Sequence, residues 1–439
     1  MREKPTNRRN QIMIFKWMRK PFAATGVTLA LVAGAMNSYA GAIVDSVGEK
    51  KAAVEPEPKL DWGKINVNIR LRYEYADDEN LFGPSNAFTG RLRLGYTTPV
   101  LWGFQAMAEF EGTGTPDENS YRAANISGPA SKTNVPDPQS YELNQLWASY
   151  TAYETMVKAG RQRIIYDNAR FVGNVGWRQN EQTFDAALFQ SKLIPDLTLG
   201  YSYVNRVERI FGSESFGPTS DFQSDSHLIN VNYKVAEWLD FTVYSYLLDL
   251  HNIDMDIGSK TFGGFAKGTY PFNEKFSVSY RAEYANQSNW RIPASFDTNY
   301  VHAVLSGEYS GWSLDAGFEL LGSDGGTAAF QTPLGTNHAF NGWADRFLTT
   351  PDTGLRDYYA GIGTKLPYEI GTGAIYHYFT DDRSGEEYGQ EIDLYMKKDF
   401  GKGFSAQAKF AYYFGDRDAF PPEFQNDTIK AWFQIEYNY

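Results

Sequence analysis

Strict alternation of apolar and polar residues, sustained for about nine to eleven positions at a time, constrains this chain more than any other feature. Residues 65–75 read INVNIRLRYEY and residues 429–437 read IKAWFQIEY. A period of two makes one face of a strand apolar and the other wet. A helix would need apolar residues at i, i+3 and i+4, and no such stripe occurs. Strands of an ordinary sandwich average about five or six residues, whereas about nine to eleven is the length a tilted strand needs to cross a bilayer.

Eighteen segments of this kind can be counted. Their approximate centres are Ile69, Arg93, Ala108, Leu146, Lys158, Ala186, Tyr201, Ile229, Tyr244, Phe265, Tyr280, Ala303, Ala316, Ile362, Tyr376, Leu394, Ala408 and Phe433. Short connections (97–103, 151–154, 191–196, 234–238, 271–275, 310–311, 400–403) alternate with long ones (112–140, 164–182, 208–226, 322–355, 415–426). An even count with short turns at one end and long loops at the other predicts a transmembrane antiparallel β-barrel of about eighteen strands. That plan places both termini in the periplasm. Lipid offers no partner to an unpaired sheet edge, so the barrel must close, and at this size its lumen is wide enough to hold water unless loops fill it.

Composition supports the same class. The chain has 30 Tyr, 30 Phe, 10 Trp and 40 Gly, yet a mean hydropathy of −0.47. Residues 1–40 read as a secretory signal peptide. Seven Lys/Arg and one Glu are followed by an apolar run at 21–35 and by Ser38-Tyr39-Ala40. That run is short of the roughly 20 residues needed to span a membrane. Arg8-Arg9 matches a twin-arginine pair, but that pathway carries folded cargo and a barrel must arrive unfolded. Residues 41–60, with Glu55-Pro56-Glu57-Pro58, read as a periplasmic lead-in, and residues 61–439 as the barrel. Beyond residue 40 there remain 34 basic and 52 acidic side chains, a net of −18, which argues against a nucleic-acid partner. There is no cysteine, so neither disulfides nor thiolate chemistry are available.

If the apolar faces meet lipid, the alternate residues face the lumen. Arg70, Arg72, Arg91 and Arg93 on the first two strands then join Lys397, Lys409 and Lys430 on the last three in one basic wall. Inward acids accompany them: Glu74, Glu109, Glu111, Glu283, Asp315, Glu319, Glu391, Asp393 and Glu436. The expectation is an electrostatic path for anions. The bland alternative is polar wall residues that simply pair.

A second basic patch, Arg161-Gln162-Arg163 after Gly160, stands at the end of the fifth segment. The following loop holds Gly176-Trp177-Arg178-Gln179, and Thr183-Phe184-Asp185-Ala186 opens the next strand. This motif of about 25 residues, with the strand plan of residues 60–439, resembles the alginate-export family of outer-membrane barrels. The resemblance implies a channel for an acidic polysaccharide or organic anions through an arginine-lined constriction. Arg161, Arg163, Arg170 and Arg178 are its candidate residues, since the guanidinium fork suits carboxylates. The loops at 112–140 and 322–355, rich in Gly, Pro, Asn and Thr, either fold into the lumen and narrow it or cover the outside.

Catalysis is not expected. None of the five histidines stands in a metal-ligand spacing, and no G-x-S-x-G motif occurs. His251, near Asp249 and Asp254, is the single position where a rim enzyme could be sought. Asp77-Asp78-Glu79 and residues 416–418 read as solvated loop charge or as a divalent-cation site near lipid headgroups. No cofactor is implied. The expected partners are outer-membrane lipid and lipopolysaccharide, an anionic solute, and barrel-assembly machinery that reads the last strand ending in Tyr439. The alternatives are an unselective diffusion porin and a plugged barrel serving as adhesin or rim enzyme.

Overall fold

The computed structural model describes residues 62–79, 82–124 and 126–439; the expected signal peptide and lead-in lie outside the described residues. Eighteen strands follow in chain order: β1 Lys64–Asp78, β2 Ser85–Thr97, β3 Phe104–Gly114, β4 Ser140–Ala152, β5 Thr155–Gln162, β6 Thr183–Ser191, β7 Leu197–Glu208, β8 Phe222–Ala236, β9 Leu239–His251, β10 Asp256–Asn273, β11 Phe276–Asn289, β12 Asp297–Tyr309, β13 Trp312–Leu321, β14 Leu355–Leu366, β15 Ile370–Thr380, β16 Glu387–Gly401, β17 Phe404–Gly415 and β18 Thr428–Asn438. Each contains one expected segment centre. Every strand pairs antiparallel with its chain neighbours, and β1 pairs with β18 over Asn68–Asn438 through Asp78–Thr428, so the sheet closes without an edge. Tyr439 finishes the seam by exchanging backbone hydrogen bonds with Val67 at 2.8 and 3.1 Å. Among the described residues no helix is long and apolar enough to cross a membrane.

Alternation places the side chains as the period of two requires. Along β1, Leu71 is 48 % exposed and Arg72 fully buried. Outward aromatics gather near the short turns, among them Trp102, Phe104, Tyr150, Tyr153, Trp312 and Phe404, and again toward the long loops, among them Phe88, Tyr141, Tyr284 and Tyr358. These are the two interfacial girdles of such a barrel. Several strands outrun the nine to eleven residues expected; β8 spans 15 and β10 spans 18. The surplus in β8 is polar on the outer face, with Gln223, Asp225 and His227 ahead of the apolar Ile229. The ladder therefore runs past the apolar band on the loop side.

The hydrophobic core lies inside the barrel, between the wall and the loops that fold into it. Phe171 of the β5–β6 loop (163–182) packs against Tyr244, Tyr246, Tyr300 and Phe330. Phe347 of the β13–β14 loop (322–354) packs against Phe379, Tyr388, Tyr413 and Phe424. The two loops are also tied to each other. Gly173 donates to the Leu334 carbonyl at 2.9 Å, Thr336 donates to that of Ala169 at 2.9 Å, and Gln182 donates to those of Gly173 and Leu334 at 2.8 and 3.1 Å. The β3–β4 loop (115–139) joins through Asp137, whose carboxylate accepts from the Gln179 backbone at 2.9 Å.

Candidate functional site

Loops that enter a lumen must satisfy their polar groups there, and this chain does so with charge. On the β18–β1–β2 wall, Arg70 reaches Glu436 at 3.2 Å and the carbonyls of Gly176 and Trp177 at 3.0 and 3.1 Å. Arg72 donates to Gln434 and to the Trp177 carbonyl at 2.6 Å, and its guanidinium lies 4.1 Å from the centre of the Trp177 ring. Arg91 holds Asn68 and Glu436, and Arg93 is paired with Glu111 and, at 3.5 Å, Glu181. Lys430 binds Asp345 at 2.8 Å. Lys409 sits among the rings of Trp343, Trp177 and Trp432 at 3.6, 4.2 and 5.4 Å, and donates to His338 Nε2 at 2.8 Å. These six side chains do form one inward basic wall, but each is buried and bound to loop or wall groups. Lys397 shares the inward face near the turns, is exposed, and has no acidic partner within ion-pair distance among the described residues.

The loop arginines complete the network. Arg170 binds Glu319 at 2.6 Å and Asn341 at 2.8 Å. Arg178 binds Glu74 and Asp345, both at 3.0 Å, and stands 3.8 Å from Asp137. Burial alone would lower the pKa of Arg178, but Glu74, Asp137 and Asp345 together raise it. Arg163 bridges Glu181 and Glu109 and keeps 29 % of its side chain exposed. Burial would push Glu181 up; Arg163 and Arg93 outweigh it and hold the carboxyl low.

Arg161 departs from the expected constriction. It is the direct cross-strand partner of Leu146, which is 52 % exposed on the lipid-facing side, and of Asp185, which it binds at 2.8 Å. The inward positions of β5 belong to Lys158, Gly160 and Gln162, so Arg161 faces outward with Asp185, Arg206 and Glu208.

Sequence reasoning missed the loop acids Asp137, Glu181 and Asp345, each buried against two or more cations. It also missed His338, whose Nδ1 meets Asp345 at 2.6 Å while its ring stacks 4.5 Å from Trp177. Accepting from Lys409 at Nε2 requires the Nδ1–H tautomer. Burial lowers the His338 pKa further than Asp345 can restore, leaving it well below the usual imidazole value. Lys267 and Arg281 on β10 and β11 were likewise unforeseen, and both bind Asp167 of the β5–β6 loop. At the rim, His251 bonds Asp249 at 2.6 Å and Asp256 at 2.8 Å, in a cluster open to solvent. Among the described residues no group of three or more His, Asp or Glu side chains is arranged to hold a metal ion.

Comparison with known proteins agrees with this architecture. Residues 61–199 match the alginate export family. No curated protein matches the sequence. Solved structures share the fold at low identity. OccAB4 of Acinetobacter baumannii is 13 % identical with a TM-score of 0.65, covering 85 % of this chain and 97 % of that one. OccK9 (OpdG) of Pseudomonas aeruginosa is also 13 % identical with a TM-score of 0.65, covering 85 % and 98 %. OpdK of Pseudomonas aeruginosa, solved with vanillate, is 11 % identical with a TM-score of 0.65, covering 86 % and 99 %.

Proposed function

We propose that this chain is an outer-membrane channel through which polar solutes pass down their gradient, with a preference for anions such as acidic saccharides or organic acids. The observation that carries the reading is a closed eighteen-strand barrel whose inward face carries a wall of charged side chains and whose long loops enter the lumen to narrow it. Anion preference is supported by the inward cations that keep access to water, Lys397, Arg163 and Lys267. The match of residues 61–199 to the alginate export family favours an acidic polysaccharide, and the vanillate held by OpdK, a carboxylate, favours a smaller organic anion. On this reading the short turns and both termini lie in the periplasm, lipopolysaccharide surrounds the loop end, and the strand ending in Tyr439 is what assembly machinery reads.

Single-channel recording of the refolded protein in a planar bilayer, with reversal potentials in a salt gradient, tests the proposal. A steady anion-selective current supports it. A cation-selective current removes the anion preference, and absence of any current makes the loops a permanent plug.

A further inference from the structure

We propose that Lys267 and Arg281 form a carboxylate-binding site in the lumen whose built-in occupant is Asp167, and that a carboxylate on an entering solute takes the place of Asp167. The inference rests on the anion reading above and adds to it a location and a competitor.

Lys267 and Arg281 are direct cross-strand partners on β10 and β11, across the barrel from the basic wall that the sequence foretells. Asp167, in the first turn of the β5–β6 loop, offers one carboxylate oxygen to each: Oδ1 accepts from Lys267 Nζ and Oδ2 from Arg281 Nη1. The site holds its shape without Asp167. Arg281 donates to Glu283 from Nε at 3.0 Å and from Nη2 at 2.6 Å, and its guanidinium lies 4.0 Å from the centre of the Phe265 ring. Nη1 is thereby aimed at a second carboxylate by contacts that Asp167 does not supply. Glu283 is fixed in turn by the Tyr244 hydroxyl at 2.7 Å.

Accessibility separates this pair from the fully buried lumen ion pairs. Arg170 and Glu319 are each 2 % exposed, and Arg178 and Glu74 are 4 % and 1 %, so no solute can reach between them. Lys267 is 41 % exposed while Asp167 is 11 % exposed, so a cation open to water is capped by a loop carboxylate. Asp167 is charged at neutral pH, because Arg281 and Lys267 outweigh the burial that would raise its pKa. Its backbone is left-handed, φ 51°, a conformation open to Asp. A tethered group competes at an effective concentration in the millimolar range. A free carboxylate must therefore be abundant to displace it, which suits a site that solutes enter and leave.

The test is calorimetric titration of the purified, folded, full-length protein with sodium glucuronate at low ionic strength. D167N should bind glucuronate about tenfold more tightly than the wild type, and D167S likewise, while K267Q/R281Q should lose the binding. Heat-modifiable electrophoretic migration reports that each barrel is folded. Equal or weaker binding by both Asp167 variants overturns the proposal, as does tighter binding that survives K267Q/R281Q in the D167N background. Titration is independent of current. The expected ordering in a barrel that passes no anions keeps the site and sinks the transport reading; anion current without the ordering does the reverse.

Discussion

Replacing Asp345 by Asn should release the β13–β14 loop from the lumen while leaving the barrel closed. Asp345 accepts from Lys430 Nζ at 2.8 Å and Arg178 Nη2 at 3.0 Å on one oxygen, and from His338 Nδ1 at 2.6 Å on the other. All four side chains are 8 % exposed or less. An amide of the same shape removes the negative charge and turns a donor either toward the two cations or toward the His338 Nδ1–H. Lys430 is then left unpaired, and Arg178 keeps Glu74 and the more distant Asp137. Removing one partner of a buried ion pair costs about 3–5 kcal/mol. Asp345 belongs to a loop, and its loss touches no ladder hydrogen bond of the strands. The cost therefore falls on the loop-in arrangement, shifting the balance toward loop-out by roughly 10²-fold to several thousandfold at about 1.4 kcal/mol per decade. Even a loop-out state that is rare in the wild type becomes visible at that shift. Single-channel recording should show excursions to a larger conductance, with heat-modifiable migration unchanged. A folded D345N barrel with wild-type conductance and wild-type current noise would refute the idea that this charge cluster holds the loop.

Acid should act on the same cluster. His338 is neutral in place with its pKa lowered, so its contribution is complete above the unfolded value of about 6.5 and declines as pH falls below it. Asp345, also held low, loses its contribution in the same direction at more acidic pH. Open-channel noise should thus rise on acidification from about pH 6.5, and noise independent of pH down to the limit of barrel stability would count against it. Trp177→Ala removes the ring that faces Arg72 and Lys409 of the wall and His338 of the β13–β14 loop. A cost of about 2–4 kcal/mol is expected from lost packing and cation–π contact. Limited proteolysis should then cut within 163–182 or 322–354, whereas an unchanged digest would show the loops held elsewhere. Arg161→Gln should leave the reversal potential in a salt gradient unchanged, because the side chain points away from the lumen, and Arg163→Gln should shift it toward cations; the opposite ranking would contradict the strand register.

The barrel was legible because its signal is redundant. Eighteen alternating stretches, each repeating the same period, locate every strand even where ends are blurred, and alternating connection lengths set the two ends. The basic wall was legible for the same reason: β17, β18, β1 and β2 meet by closure, so parity alone puts Arg70, Arg72, Arg91 and Arg93 inside with Lys409 and Lys430. Parity was also sufficient for Arg161. It stands three residues from the inward Lys158, an odd spacing that cannot keep both on one face of a regular strand. The loop network lay beyond reach. Asp345 meets Lys430 across 85 residues and Arg178 across 167, with no period linking loop to wall. A loop that folds inward and one that spreads over the outside have the same polar, glycine-rich composition. The difference lies in three-dimensional pairing, such as Arg170 on Glu319 and Trp343 over Lys409, that composition does not encode.

That pairing changes what the inward arginines mean. A bare row of guanidiniums would repel itself and attract anions along its whole length. Here most of the row is matched by acids, and several of the decisive acids, Asp137, Glu181 and Asp345, are on the loops rather than the wall. Wall charge then serves first to seat the loops, and selectivity passes to the few cations left in contact with water. For buried pairs the exchange of one carboxylate for another is blocked by desolvation, whatever the solute offers. At Lys267 it is not, because one partner is already wet. Counting inward arginines therefore overstates the anion path, and the informative quantity is the exposure of each cation together with the mobility of its partner. On that measure Asp167, the loop carboxylate that Lys267 and Arg281 share, is where the proposed binding of a solute and movement of a loop would become the same event.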